Sequence, residues 1–187
     1  MKKLILVFLF VLLSVCVYAQ DLTWDIVFQK GRTPEFIPIS NIIRMETGET
    51  FQFSITPHSN AWCYIILYDS QRKVYVLHNE RLSANIEKFF GPFQLEEPKG
   101  TETIYVILSL ERQADLERLI SVYNNSQTQA DGNNVFRAIQ RLQSSMIGEP
   151  ASSYIPSGGT TRGTSSQQYA TRFSGKNIYV RTIIIRH

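Results

Sequence analysis

Residues 51–78 read FQFSITPHSNAWCYIILYDSQRKVYVLH, and this run decides the fold. Phe51, Phe53 and Ile55 alternate with Gln52, Ser54 and Thr56, the period of a strand with one buried face. Pro57 to Asn60 closes it. Trp62 to Tyr68 is apolar on both faces: Trp62, Tyr64, Ile66 and Tyr68 against Cys63, Ile65 and Leu67. A strand covered on both sides is a central strand. Asp69-Ser70-Gln71-Arg72 has hairpin length and composition. Val74, Val76 and His78 then alternate with Lys73, Tyr75 and Leu77.

The same period continues on either side. Leu22, Trp24, Ile26 and Phe28 alternate with polar neighbours until Gly31-Arg32-Thr33-Pro34 breaks the run. Phe36 to Met45 is a broken strand interrupted by Pro38 and suited to an edge. Asn79 to Lys88 reads as a polar connection and Phe89 to Leu95 as another strand. Thr103 to Ser109 is a second strand with two apolar faces, followed by a change to helical period. Leu116, Leu119, Ile120 and Tyr123 form one helical stripe. Val135, Ile139, Leu142 and Met146 form a second, with Asp131 or Asn133 as its cap and Gly148 with Pro150 as its end.

Residues 148–175 are rich in Ser, Thr, Gly and Gln and predict a flexible loop. Residues 176–187 close the chain as an apolar, β-prone strand, internal rather than at an edge. The expected fold is mainly β: an antiparallel sandwich with two late helices, the latter an insertion at 111–147, in one domain from Gln20 to His187.

Met1-Lys2-Lys3, the apolar run Leu4 to Val17 and Ala19 before Gln20 have the anatomy of a signal peptide over 1–19. The expected location is periplasmic or secreted. Leu13-Ser14-Val15-Cys16 has the general shape of a lipoprotein signal, although Val15 stands where a small residue is usual; lipidation of Cys16 would put the chain on a membrane. The formal charge is +3. Removing Lys2 and Lys3 from the 19 Lys and Arg leaves 17 against 16 Asp and Glu, a net of about +1. No basic stripe suits nucleic acid. Cleavage would leave Cys63 as the one thiol, which rules out an internal disulfide and reads as a small buried hydrophobe.

Four segments carry a family resemblance. They are Gly48-Glu49-Thr50-Phe51-Gln52-Phe53, the run Ala61 to Asp69, the run Val74 to Asn79, and Glu97-Pro98-Lys99-Gly100-Thr101-Glu102 leading into Thr103 to Val106. Together they resemble a bacterial family known as domain of unknown function 4384, over Gly48 to Ser109, about a third of the chain. The family often has Pro where His78 stands and Gly where Ser70 and Gln71 stand. The resemblance implies a β-rich module found alone in exported proteins or beside caspase-like peptidase and protein kinase domains, hence an accessory role. It supplies no catalytic residues. Gly48 and Gly100 stand where chain reversal needs positive φ or close approach.

Candidate sites are few. His58, His78 and His187 are widely spaced and fit no metal-ligand pattern. Ser109, His78 and Asp69 can be drawn as a triad, but no Gly-x-Ser-x-Gly elbow is present. Trp62, Tyr64, Tyr68, Tyr75 and Tyr105 lie on adjacent expected strands; exposed, they would stack on sugar rings, and buried, they are core. Trp62, Tyr64, Tyr68, Tyr75 and His78 are the ligand-binding candidates. Arg112, Arg118, Arg137 and Arg141 lie off the helical stripes, as a solvated face does. The expected function is a non-enzymatic exported module that binds another envelope protein, without cofactor, metal or nucleic acid. A carbohydrate- or cell-wall-binding sandwich is the alternative, and a hydrolase stands behind both.

Overall fold

The alternation that begins at Leu22 becomes β1 (Asp21–Lys30), which buries Leu22, Trp24, Ile26 and Phe28 on one face. The computed structural model describes residues 21–31, 35–39, 42–146, 151–157 and 168–187. Residues 1–19, expected as a signal peptide, and Cys16 lie outside them. Next come β2 (Glu35–Phe36), β3 (Ile42–Arg44), β4 (Thr50–Pro57), β5 (Ala61–Tyr68), β6 (Val74–Leu82), β7 (Lys88–Gln94) and β8 (Thr101–Ser109). Two helices follow, α1 (Ala114–Ser126) and α2 (Gln129–Ser144). Three strands end the chain: β9 (Ala151–Ser157), β10 (Gln168–Lys176) and β11 (Ile178–Arg186).

The strands form two sheets. The first runs β7-β4-β1-β10-β9, with β2 pairing β1, and the second runs β3-β11-β8-β5-β6. Phe28, Phe53, Ile55 and Phe173 of the first sheet meet Ile65, Val106, Tyr179 and Ile183 of the second in one apolar core. The second sheet is also apolar on its other face. There Tyr64, Ile66, Tyr105 and Ile107 pack under Leu116, Ile120, Val135 and Ile139 of the helices. The layers are therefore sheet, sheet, helix pair. This arrangement explains why β5 and β8 carry apolar residues on both faces while β1 does not.

The mainly β sandwich with two late helices is as the sequence predicts, and five details differ. The second sheet is mixed, because β3 runs parallel to β11. The segment containing Pro38 crosses between sheets, giving β2 to an edge of one and β3 to an edge of the other. The polar stretch from Asn79 extends β6 as far as Leu82, paired with β5 throughout. α2 starts earlier than Asp131. Its cap is Thr128, whose hydroxyl accepts from the Asp131 backbone N–H at 3.2 Å while donating to the Asp131 carboxylate at 2.7 Å. The Thr128 backbone N–H donates to Ser126 Oγ at 3.3 Å, so this is an N-cap without the second bond of a capping box.

The largest correction concerns 148–175, expected as a flexible loop. Two strands lie within it, β9 and β10, paired from Gln168↔Ser157 to Ser174↔Ala151. β10 in turn pairs with β1 from Asp21↔Lys176 to Ile26↔Thr171. Backbone pairing supplies this order, with little apolar payload. Residues 170–176 bring one large apolar side chain, Phe173, whose ring lies 4.9 Å from Trp24 and 5.3 Å from Tyr179. Residues 158–167, including Gly158, Gly159 and Gly163, lie outside the described residues.

Candidate functional site

The five candidates Trp62, Tyr64, Tyr68, Tyr75 and His78 do not make one surface. Trp62, Tyr64 and Tyr68 face the helices. Tyr64 is fully buried, and its hydroxyl donates to Glu117 Oε1 at 2.8 Å and accepts from the Gln113 N–H at 2.9 Å. Burial and the neighbouring Glu117 carboxylate push its phenol up to about 12. Tyr68 stacks on Phe136 at 5.6 Å, and Trp62 lies beneath the Arg112 guanidinium at 5.5 Å. Tyr105, on the same face, is 8% exposed. On this face the aromatics are core, glued to a helical layer.

His78 and Tyr75 face the other way. Regular alternation would keep His78 on the side of Val74 and Val76. The β5–β6 register shifts between Ile65 and Ile66, so Leu77 is the extra residue of a bulge. The bulge turns His78 inward, opposite Ile65, with its ring edge-on to Phe90 at 5.2 Å. Burial lowers its pKa, with the charge of Glu80 opposing and that of Lys88 adding to the shift. Its Nε2 is buried without a hydrogen-bond partner.

The drawn triad is not assembled. Ser109 pairs with Trp62 at one end of β5, His78 faces Ile65 at mid-strand, and Asp69 follows Tyr68 at the other end. At about 3.3 Å per residue, Ser109 and Asp69 stand roughly 20 Å apart. The Ser109 hydroxyl instead accepts from Gln113 Nε2 at 2.9 Å and from the Glu111 N–H at 3.2 Å. Cys63 is buried, and burial pushes its thiol far above the ordinary range, so it is an inert hydrophobe. Among the described residues, no group of three or more His, Cys, Asp or Glu is placed to hold a metal. No helix among them is long and apolar enough to cross a membrane.

Tyr75 is the candidate left in the open, 44% exposed. It stands on a cleft of about 540 Å³ that the sequence did not single out. The β5–β6 turn forms one wall, and the stretch from Pro92 to Pro98 forms the other. Phe51, Phe93 and Leu95 give it an apolar floor, and Asp69, Glu96, Glu97 and Glu102 give it carboxylates. Among the described residues, no Lys or Arg lines it. Burial raises the Tyr75 phenol, and the charge and hydrogen bond of Asp69 raise it further.

Backbone hydrogen bonds fix the cleft wall. Asp69 Oδ1 accepts from the Gln71 and Lys73 N–H groups at 2.9 and 2.7 Å, an Asx-turn that sets the hairpin. Arg72 takes positive φ there, at 66°. Glu102, 9% exposed, accepts from the Ser70 N–H at 3.3 Å and lies 3.5 Å from His187 Nε2. The hairpin composition and the Pro98-Lys99-Gly100 turn are visible in the sequence. Their meeting is not, because they are about 28 residues apart.

Comparison with family models, curated proteins and solved structures finds no match to this chain.

Proposed function

We propose that this chain is a non-enzymatic, exported interaction module that grips a segment of another envelope protein in the cleft beside Tyr75. The single observation carrying this reading is the cleft's make-up: an exposed tyrosine and an apolar floor ringed by four carboxylates, with no lysine or arginine among the described residues of the lining. Such a site favours an extended segment that presents an apolar side chain next to a lysine or arginine. The apolar part is desolvated on the aromatics and the cation is held by the acidic rim. The dispersal of Ser109, His78 and Asp69 removes that triad as support for the hydrolase reading. The character of 1–19 supports export, and the accessory role accords with the resemblance over Gly48 to Ser109.

The test is a crosslinking pull-down of the tagged protein from its native cell envelope, read by mass spectrometry, beside the Tyr75→Ala variant. One dominant protein recovered with the parent and lost with the variant is the expected result. Equal recovery with both would remove the cleft from the interaction.

A carbohydrate reading keeps one observation in its favour: an exposed tyrosine ring next to Asp69 is also what a sugar needs. Trp24 is fully buried and Trp62 is covered by Arg112, so tryptophan emission is a poor reporter for the cleft. Calorimetric titration with cell-wall glycan fragments is the better assay. Heat with a glycan, lost in Tyr75→Ala, would move the assignment from peptide to sugar.

A further inference from the structure

The arginines that the helical pattern leaves on a solvated face are not spread over it. Arg112 is bound to Glu117 at 2.6 Å, which accounts for it. Arg118 of α1 and Arg137 and Arg141 of α2 converge on a second concavity, a groove of about 530 Å³ between the helices. All three are exposed. Arg118 has one loose carboxylate neighbour, Asp115 at 4.0 Å, which is 97% exposed. Among the described residues, Arg137 and Arg141 have no ion pair. They are four residues apart on one helix, where like charges repel. Gln140, Asn134 and Ser144 add neutral donors and acceptors, Leu119 adds an apolar side chain, and among the described residues no Asp or Glu enters the lining.

We infer that this groove binds an extended acidic peptide segment of a partner protein, through Arg118, Arg137 and Arg141. Three features select that occupant. Guanidinium forks match carboxylates bidentately. Arg137 and Arg141 are offset by about 6 Å along the helix axis. Alternate side chains of an extended peptide are offset by about 6.6 Å, so carboxylates at every second position fall in step with the arginines. The neutral amides of Asn134 and Gln140 can meet the peptide backbone between them. A lipid surface is disfavoured, because Val122 is the one large exposed apolar side chain of the helices and gives a bilayer little to take up. A nucleic acid is disfavoured, because among the described residues no aromatic ring lines the groove. The groove is separate from the Tyr75 cleft and stands whether or not that reading holds.

The test is a fluorescence anisotropy titration of the purified protein with a labelled Gly-Asp-Ser-Asp-Ser-Asp-Gly peptide. Binding that weakens with added salt is expected, and about tenfold weaker binding in the R137A/R141A double variant. Both substitutions exchange an exposed arginine for a better helix former, so the fold is retained, and far-ultraviolet circular dichroism checks this. Lys88→Ala, a charge removed from β7 in the sheet remote from the helices, should bind as the parent does. Equal binding of the peptide with Asn in place of Asp would overturn the inference. So would a double variant indistinguishable from the parent, or a Lys88→Ala loss matching the double variant's, which would reduce the effect to net charge. Displacement by inorganic phosphate at similar concentration, or stronger binding to phosphatidylglycerol vesicles, would overturn the peptide assignment.

Discussion

Tyr64 shows how one side chain joins two layers. Its ring lies in the face of β5 under the helices, and its hydroxyl supplies what the start of α1 lacks. The N-cap residue Gln113 makes no side-chain cap, and its backbone N–H is received by Tyr64 instead. The same hydroxyl then donates to Glu117, which Arg112 holds at 2.6 Å. Tyr64→Phe keeps the packing and removes both hydrogen bonds, leaving a half-buried N–H without its acceptor. The expected cost is about 1–2 kcal/mol, read as a lower urea midpoint at unchanged slope. A midpoint equal to the parent's would show that α1 is seated by its apolar stripe alone. Gly100 is constrained by space. A Cβ there would lie 2.5 Å from Ser70 Cβ, and the Gly100 backbone exchanges two 3.1 Å hydrogen bonds with His187. Neither neighbour can yield without moving the cleft wall. Gly100→Ala should lower stability by about 1–3 kcal/mol. Thermal melting checks this, with Gly48→Ala as a contrast: Gly48 has φ of +88° but nothing within 4 Å of its added methyl, so its penalty is backbone strain alone.

Among the elements, legibility follows how each one buries apolar surface. β1, β4, β5, β8, β11 and both helices carry their burial pattern in their period, and the sequence shows them at nearly their observed bounds. β9 and β10 do not. Ala170, Thr171, Ser174 and Gly175 are short, and β10 is held by its ladder to β1 and by Arg172 opposite Asp25. A pairing with a strand nearly 150 residues away leaves almost no local trace. The one trace is Phe173, an aromatic in a polar segment. The Tyr75 cleft was hidden for the same reason, since its two walls meet only through the sheet pairing. His78 was misplaced by a single bulge, which period-two reasoning cannot foresee. If β10 depends on one anchor, Phe173→Ala should be disproportionate. About 3–5 kcal/mol is expected for a ring enclosed by Trp24 and Tyr179. Hydrogen exchange should then show loss of protection first in β10 and β9. Uniform loss across both sheets would mean that β10 unfolds only with the whole domain.

At the scale of the whole molecule, one charge cluster ties the first strand of the described chain to nearly its last. Asp25 lies on the outer face of β1. It accepts two hydrogen bonds from Arg172 of β10, at 2.6 and 2.7 Å, and its Oδ2 lies 3.0 Å from His58 Nε2 in the β4–β5 turn. Burial by itself would raise the Asp25 carboxyl, but hydrogen bonds from Arg172 and His58, with the charge of Arg172, outweigh it and hold the carboxyl below its usual value. A carboxylate lowered on folding contributes stability that is complete above the unfolded value, near 4, and is lost as pH falls through the folded value below it. In that interval the unfolded chain takes up a proton that the folded chain refuses. Asp25→Asn removes this term. The variant should be less stable than the parent by about 1 kcal/mol at pH 7, a figure kept small because Arg172 is a third exposed. The gap should hold at every pH above the unfolded value near 4 and narrow as pH falls below it. Urea midpoints of the two proteins across that range decide it. Curves that stay parallel to pH 2 would assign the acid sensitivity of the fold to other carboxylates, and a variant more stable than the parent at pH 7 would mean that desolvation of Asp25 exceeds what its partners return.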